Sequence, residues 1–239
     1  MARIAAFTGR FGSGKTEVSI NYACGLAAAG ADVALVDLDI VTPYFRSRDV
    51  AEALAAGGVR VVAPVTDGRY SEAVGLTAAI LGAMQDERWQ VVLDVGGDVS
   101  GAKALGRYAG YLDELGYVMH FVVNPFRPGT TTPGAIAQAV ASIERSSRLR
   151  VSSLVSNPNL MEETTVDLIL AGHQVVQAAA EALCLPVRLL CVEASLVEPT
   201  VRRFAVPAIL PIYRHFWPYW SENGPRRAAT VAARRRGRS

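Results

Sequence analysis

The sequence predicts an α/β protein of three layers, with helices on both faces of a mostly parallel, twisted sheet of about seven strands. Three observations carry that expectation. Short β-branched runs alternate with longer Ala-rich segments of helical period along the 239 residues. Several of the short runs are apolar on both faces, as strands inside a parallel sheet are. Residues able to do chemistry collect where the runs stop, and ligands of such sheets gather beyond the carboxyl ends of the strands.

In chain order, strands are predicted at 3–8 (RIAAFT), 32–38 (DVALVDL), 59–64 (VRVVAP), 90–95 (QVVLDV), 117–124 (YVMHFVVN), 150–157 (RVSSLVSN) and 187–192 (VRLLCV). Helical patterns lie between them, near 16–29, 45–56, 71–85, 101–113, 131–146 and 163–184. Gly30 closes the first in the usual way, and Gly172 lies inside the last. Strand–helix–strand repeats of this kind imply right-handed crossovers. The stretch VPAILPIYRHFWPYW adds an edge strand and a short helix, its aromatics forming either a packed clasp or an exposed contact. One domain is expected over 1–220, with a basic, disordered tail over 221–239.

Hydrophobic residues make up 51% and charged residues 19%, which suits a sizeable core. Cys24, Cys184 and Cys191 are scattered, an arrangement expected of small buried hydrophobes in a reducing cytoplasm rather than of disulfides or a metal cluster. The N-terminus does not read as a signal peptide, and no apolar run reaches the length of a membrane span, so a cytoplasmic location is expected. The tail's six arginines exceed the net charge of +2 by four, which leaves the body at −4 and without a nucleic-acid footprint. The tail is either a solubilising end or a contact for anionic membrane or nucleic acid. His120, between Met119 and Phe121, is expected to be a core residue.

All but two of the 24 basic residues are arginine; the exceptions are Lys15 and Lys103. Lys15 falls in GRFGSGKT, residues 9–16, which satisfies the phosphate-binding pattern G-x-x-x-x-G-K-[ST]. Glycines let such a loop turn its N–H groups inward around an anion, and the following helix adds the positive end of its dipole. A compact ammonium reaches between phosphate oxygens where a planar guanidinium fits poorly. The nucleotide-binding stretch is therefore Gly9, Arg10, Phe11, Gly12, Ser13, Gly14, Lys15, Thr16 and Glu17, with ATP as the cofactor. The Thr16 hydroxyl is a candidate ligand for Mg²⁺.

A triphosphate site also needs a metal shell and a group that positions water. Asp37 and Asp39 end one predicted strand on the same side of an extended chain. Asp94 ends another, after the three apolar residues Val91, Val92 and Leu93, and Gly97 and Asp98 follow it. Asp39 and Asp94 are the candidate metal carboxylates, and Gly97 can offer its N–H to a terminal phosphate. Each aspartate can instead be a turn former or helix cap. Asn157 and Pro158 follow a late strand, where an amide can read a base edge or shape a turn. The guanine-reading signatures N-K-x-D and T-K-x-D are absent from the sequence, which favours ATP.

With these residues assembled, most of residues 3–212 resembles the MinD/ParA/CobQ group of P-loop ATPases, and within it a bacterial subgroup described as nucleotide-binding. The resemblance rests on GRFGSGKT, on VDLDIVTPYFRSRD as a first switch region, on VVLDVGGD as Walker B and second switch, and on LVSNPNL as a base-binding loop. It implies the P-loop NTPase fold, ATP and Mg²⁺ binding, slow hydrolysis coupled to a conformational switch, and Asp39 as the residue that orients water, with Lys15 the second catalytic residue. It further implies an ATP-dependent homodimer in which a lysine early in the P-loop reaches the other copy's phosphates. Arg10 stands at that position here, as a finger in trans or as a surface residue.

Three functions follow as expectations. One is an ATPase switch acting on a protein partner or a surface. Another is an ATP-dependent enzyme that activates a carboxylate, like dethiobiotin synthetase or cobyrinate amidase, with Arg46, Arg48, Lys103 and Arg107 holding an acidic substrate. The last is a module that binds nucleotide without turnover.

Overall fold

A computed structural model describes residues 2–38, 50–62, 72–203 and 208–215, the side chains of 72–77 apart. The strands are β1 (Ile4–Thr8), β2 (Val33–Leu38), β3 (Val59–Val62), β4 (Gln90–Val95), β5 (Tyr117–Val123), β6 (Ser153–Ser156), β7 (Val187–Glu193) and β8 (Ile209–Ile212). They form one sheet in the order β3-β2-β4-β1-β5-β6-β7-β8. Every pairing is parallel. The seven expected strands are present, and β8 is the added edge.

The helices among the described residues are α1 (Lys15–Ala28), α2 (Ala51–Ala56), α3 (Glu72–Gln85), α4 (Val99–Gly106), α5 (Ala109–Leu115), α6 (Pro133–Ser147), α7 (Val166–Leu183) and α8 (Val197–Arg203). Alternation along β1 shows why there are three layers. Ile4 and Ala6 face a core built with Ile80 and Met84 of α3, Leu105 of α4 and Val140 of α6. Ala5 and Phe7 face the other way, onto Val18, Ile20 and Ala23 of α1 and Leu54 of α2. A strand whose successive side chains point to opposite faces must be apolar throughout when both faces are covered.

Some expectations are corrected. The helix expected over 101–113 is two helices. The carbonyl of Gly106 accepts the guanidinium of Arg148, and the chain tightens, with Arg107 N–H donating to Ala104 O at 3.3 Å and Tyr108 N–H to Leu105 O at 2.9 Å. A tertiary contact from 42 residues away thus competes with the helix for its carbonyl. Helix α8 was not foreseen. Cys184 is exposed, not buried, because it occupies the left-handed C-cap of α7 (φ 53°), outside the core-facing stripe. The tail and the HFWPYW aromatics from Phe216 onward lie outside the described residues.

His120 is a core residue, as expected. Its Nδ1 pairs with Ser153 Oγ at 2.7 Å, and its ring stands 4.9 Å from that of Phe7. Burial, helped by the positive charge of Arg188, lowers its pKa to about 4. The neutral ring is favoured in the fold, so its contribution to stability is whole above about pH 6.5 and is lost as pH falls toward 4. Protonation of His120 is expected to cost about 2 kcal/mol between pH 7 and pH 5. Urea unfolding at the two pH values should show a smaller loss in His120→Asn than in wild type. Equal losses would mean that this ring is not the group responsible. His173 and His215 are lowered by burial as well and act in the same direction.

Candidate functional site

The site is built at the carboxyl end of β1, in the middle of the sheet. The strand stops at Thr8, and residues 9–14 turn into α1. Gly12 (φ 79°) and Gly14 (φ 82°) are left-handed, a backbone that residues with a Cβ reach only at a cost. Gly14 is the N-cap of α1, so the first N–H groups of a 14-residue helix open onto the turn. Ser13 N–H donates to Arg10 O at 3.0 Å and closes the loop on itself.

Close packing holds the loop from outside. A Cβ at Gly9 would overlap the backbone carbonyl of Val122 in β5 and stand 2.8 Å from Ser13 Oγ. A Cβ at Gly14 would overlap Asn157 Nδ2. That amide donates to Ser13 O at 2.7 Å, so Asn157 braces the phosphate-type loop with at least one of its two N–H bonds. Gly97 abuts the loop on a third side, where a Cβ would overlap Gly9 O and stand 2.9 Å from Phe11 N.

The loop borders a cavity of ≈ 310 Å³. Gly12, Gly14, Lys15 and Thr16 line one part of it, and Asn157, Asn159, Met161, Glu193, Ile212 and Arg214 another. Phe11 and Glu17 also line it, and Phe11 is 72% exposed. Ser13, Lys15 and Thr16 are buried. The Glu17 carboxylate accepts from His215 N–H, and Asn21 clamps Tyr213 through both N–H (2.8 Å) and carbonyl (3.0 Å). The segment after β8 is thereby laid along α1, which is how Arg214 comes to the cavity. There it pairs with Glu162 at 2.7 Å and holds that carboxyl below its usual range.

Asp94 ends β4 directly beside Asp37 of β2, and both are buried. Ser19 Oγ, one turn after Thr16, donates to Lys15 O at 2.7 Å and stands 3.5 Å from Asp94 Oδ1. The Walker-type aspartate and the helix start are therefore neighbours. Asp98 caps α4, accepting from Gly101 N–H at 2.8 Å. Pro158 packs on α7, where a Cβ at Gly172 would stand 2.6 Å from its Cβ and 2.8 Å from Pro125 Cγ. The helix-interior glycine is thus what lets the loops after β5 and β6 settle on α7.

Asp39, Arg46 and Arg48 lie outside the described residues. Lys103 and Arg107 are exposed on α4 and its C-cap, and neither lines the cavity. Among the described residues, no group of three or more His, Cys, Asp or Glu is placed to hold a metal. No described helix is long and apolar enough to cross a membrane. The loop nonetheless fits a polyphosphate. It runs into the start of α1, whose first N–H groups have no partner within the helix, and Ser13 Oγ is buried with no hydrogen-bond partner among the described residues. Magnesium bound through phosphate oxygens and water needs few protein oxygens, and Thr16 and Asp94 fit that demand.

Asn124, Arg127, Glu193 and Arg214 were not assigned a role from the sequence. Asn124 and Arg127 carried a signal, since they stand where β5 stops. Glu193 and Arg214 carried none, because only the folding of β8 onto β7 brings them together.

No family model matches the chain, and no curated protein matches it in sequence. Solved structures do resemble it. Cell division protein FtsY of Thermotoga maritima aligns with TM-score 0.53 at 17% identity, over 79% of this chain and 61% of its own. FtsY of Mycoplasma mycoides aligns with TM-score 0.53 at 17% identity, over 79% and 59%. The signal recognition particle receptor FtsY of Elizabethkingia anophelis aligns with TM-score 0.52 at 16% identity, over 90% and 63%. The chain thus spans less than two thirds of each of these structures. At such identities the likeness speaks to architecture, and the architecture is an α/β P-loop NTPase-like fold.

Proposed function

We propose that this protein binds ATP with Mg²⁺ and acts as a slow ATPase switch of the MinD/ParA/CobQ kind, engaging a protein partner or a surface according to the nucleotide held. The observation that carries the reading is the glycine turn of 9–14. It is left-handed at Gly12 and Gly14, opens at the start of α1, and borders a cavity that Asn157, Asn159 and Arg214 also line. Lys15 places its ammonium between phosphate oxygens. Thr16, Asp94 and Asp39 hold the metal, which when bound neutralises phosphate charge. Gly97 offers its N–H to the terminal phosphate, consistent with its contact on the loop backbone. Asn157 and Pro158 border the base. One Asn157 N–H is committed to Ser13 O, so the rest of that amide faces the nucleotide. ATP is preferred to GTP because the guanine-reading N-K-x-D and T-K-x-D patterns do not occur.

Asp39 orients the attacking water in this reading, and Arg10 reaches a second copy of the chain in an ATP-dependent dimer. In the single chain the Arg10 guanidinium rests over Gly129, exposed at the loop's rim. The experiment is Asp39→Ala. It is expected to retain ATP affinity, to slow phosphate release by about 100-fold or more, and to accumulate the dimer with ATP but not with ADP. Turnover unchanged by the substitution would refute the role given to Asp39, and tight ATP binding with no phosphate release from either protein would leave a module that binds nucleotide without turnover.

A further inference from the structure

We infer that Arg127 is a phosphate-binding residue supplied in cis, closing the polyphosphate end of the cavity from the turn after β5. The inference rests on the reading of that cavity as a nucleotide site. It starts from the sequence NPFRPGT, residues 124–130, in which two prolines restrict the chain on either side of the arginine. Buried Asn124 and Thr130 then fix the turn. Asn124 Oδ1 accepts from Phe126 N–H at 3.1 Å, and Asn124 O accepts from Arg127 N–H at 3.2 Å. Thr130 Oγ1 donates to Asn124 O at 2.7 Å, while Asn124 Nδ2 ties the turn to Asn159 O at 2.8 Å. The arginine's backbone is set before any ligand arrives.

Its side chain is set as well. A Cβ at Gly12 would lie 3.6 Å from Arg127 Cδ and 3.7 Å from its Cγ and Nε. The arm therefore lies alongside the loop at Gly12, at ordinary van der Waals distance from where a side chain would stand. The reciprocal contact is present too. Arg10, from that loop, lays its guanidinium over Gly129 of the turn, where a Cβ would lie 2.9 Å from Nε and 3.1 Å from Cζ. Two loops interlock, each arginine on the other's glycine, and of the two arginines Arg127 lines the cavity. Among the described residues no carboxylate pairs with Arg127. Arg214, the other arginine of the lining, is paired with Glu162.

A guanidinium presents a planar fork that matches two phosphate oxygens, and its charge-assisted bonds are the stronger kind. An unrestrained surface arginine spends much of that energy on ordering itself. One whose arm is already packed spends less. Arg127 is exposed, so its contribution is to grip the phosphate chain from the solvent side, where Lys15, at the buried helix start, cannot reach.

The probes are inorganic tripolyphosphate, a non-hydrolysable ATP analogue and ADP, titrated calorimetrically against the full chain. Arg127→Ala is expected to weaken tripolyphosphate and the ATP analogue by about tenfold or more and to flatten the salt dependence of binding. Arg127→Lys keeps the charge and loses the fork, and is expected to recover part of the affinity. Arg127→Ala within twofold of wild type for tripolyphosphate overturns the assignment. So does equal weakening of the ATP analogue with tripolyphosphate unchanged, which would put the arginine at the nucleoside. If the wild type binds none of the three probes, the nucleotide reading itself fails. Lys15→Ala separates the cases, since it should lose binding whether or not Arg127 takes part. Thermal melts of both Arg127 variants are expected within a few degrees of wild type, because the side chain is exposed and its turn is held by Asn124 and Thr130.

Discussion

Lys15→Ala is expected to lower ATP affinity by at least about 100-fold with the fold intact. Lys15 is the first residue of α1 and is 6% exposed. Its ammonium therefore acts where water screens poorly, beside helix N–H groups that already favour an anion. Two or more charge-assisted bonds to phosphate oxygens, at about 1.5–3 kcal/mol each, account for the magnitude. Alanine is the best helix former, so α1 should start at the same residue, and circular dichroism should not distinguish the variant. Lys15→Arg is the sharper comparison. A chain that uses arginine at all but two basic positions gains nothing by exception unless the site rejects the fork. Arginine at a nearly closed position must displace neighbours, and at least a tenfold loss is expected from overpacking alone. Calorimetric titration of ATP against the three proteins decides the matter. Affinities within threefold of one another would remove the ammonium from the site and take the ATPase reading with it.

The parts of this molecule that were legible in the sequence are those whose pattern is local. β1, β2 and β4 announce themselves because a strand covered on both faces must be apolar at every position, as Ile4–Phe7 and Val33–Val36 are. The turn of 9–14 was legible because only glycine takes the conformations of Gly12 and Gly14 cheaply. What was not legible depends on partners distant in the chain. Nothing in 101–113 foretells that Arg148 will take the carbonyl of Gly106. Asn157 invites reading as a base-binding amide, yet the acceptor of its N–H lies 144 residues earlier. Arg127 gains meaning only when Gly12 is placed beneath its arm. Helix α8 is seven residues with a proline near its start, too short for a period to show. Functional sites concentrate such distant juxtapositions, so Glu193 and Arg214, which line the same cavity as the expected Asn157, carry no signal in the sequence.

Gly97→Ala tests whether the turn after β4 sets the shape of the cradle. The glycine has no left-handed φ to excuse it; its need is room. A methyl there would overlap Gly9 O and lie 2.9 Å from Phe11 N and 3.0 Å from Arg10 C. All three are main-chain atoms of the loop, so no rotamer change relieves the crowding, and one of the two loops must move. Gly9 cannot yield toward β5, because its own missing side chain already abuts Val122 O. The strain is expected to cost about 1–3 kcal/mol in stability and to weaken ATP by at least tenfold, since anion cradles tolerate little displacement of their N–H groups. Gly110→Ala is the matched control. That glycine lies in α5 with no atom within 4 Å of an added Cβ, and there alanine should stabilise by up to about 1 kcal/mol. Urea unfolding and ATP titration of the two variants separate the mechanisms. Should Gly97→Ala bind ATP as the wild type does while losing stability, the second loop packs on the first without shaping it, and the role given to Gly97 at the terminal phosphate is wrong.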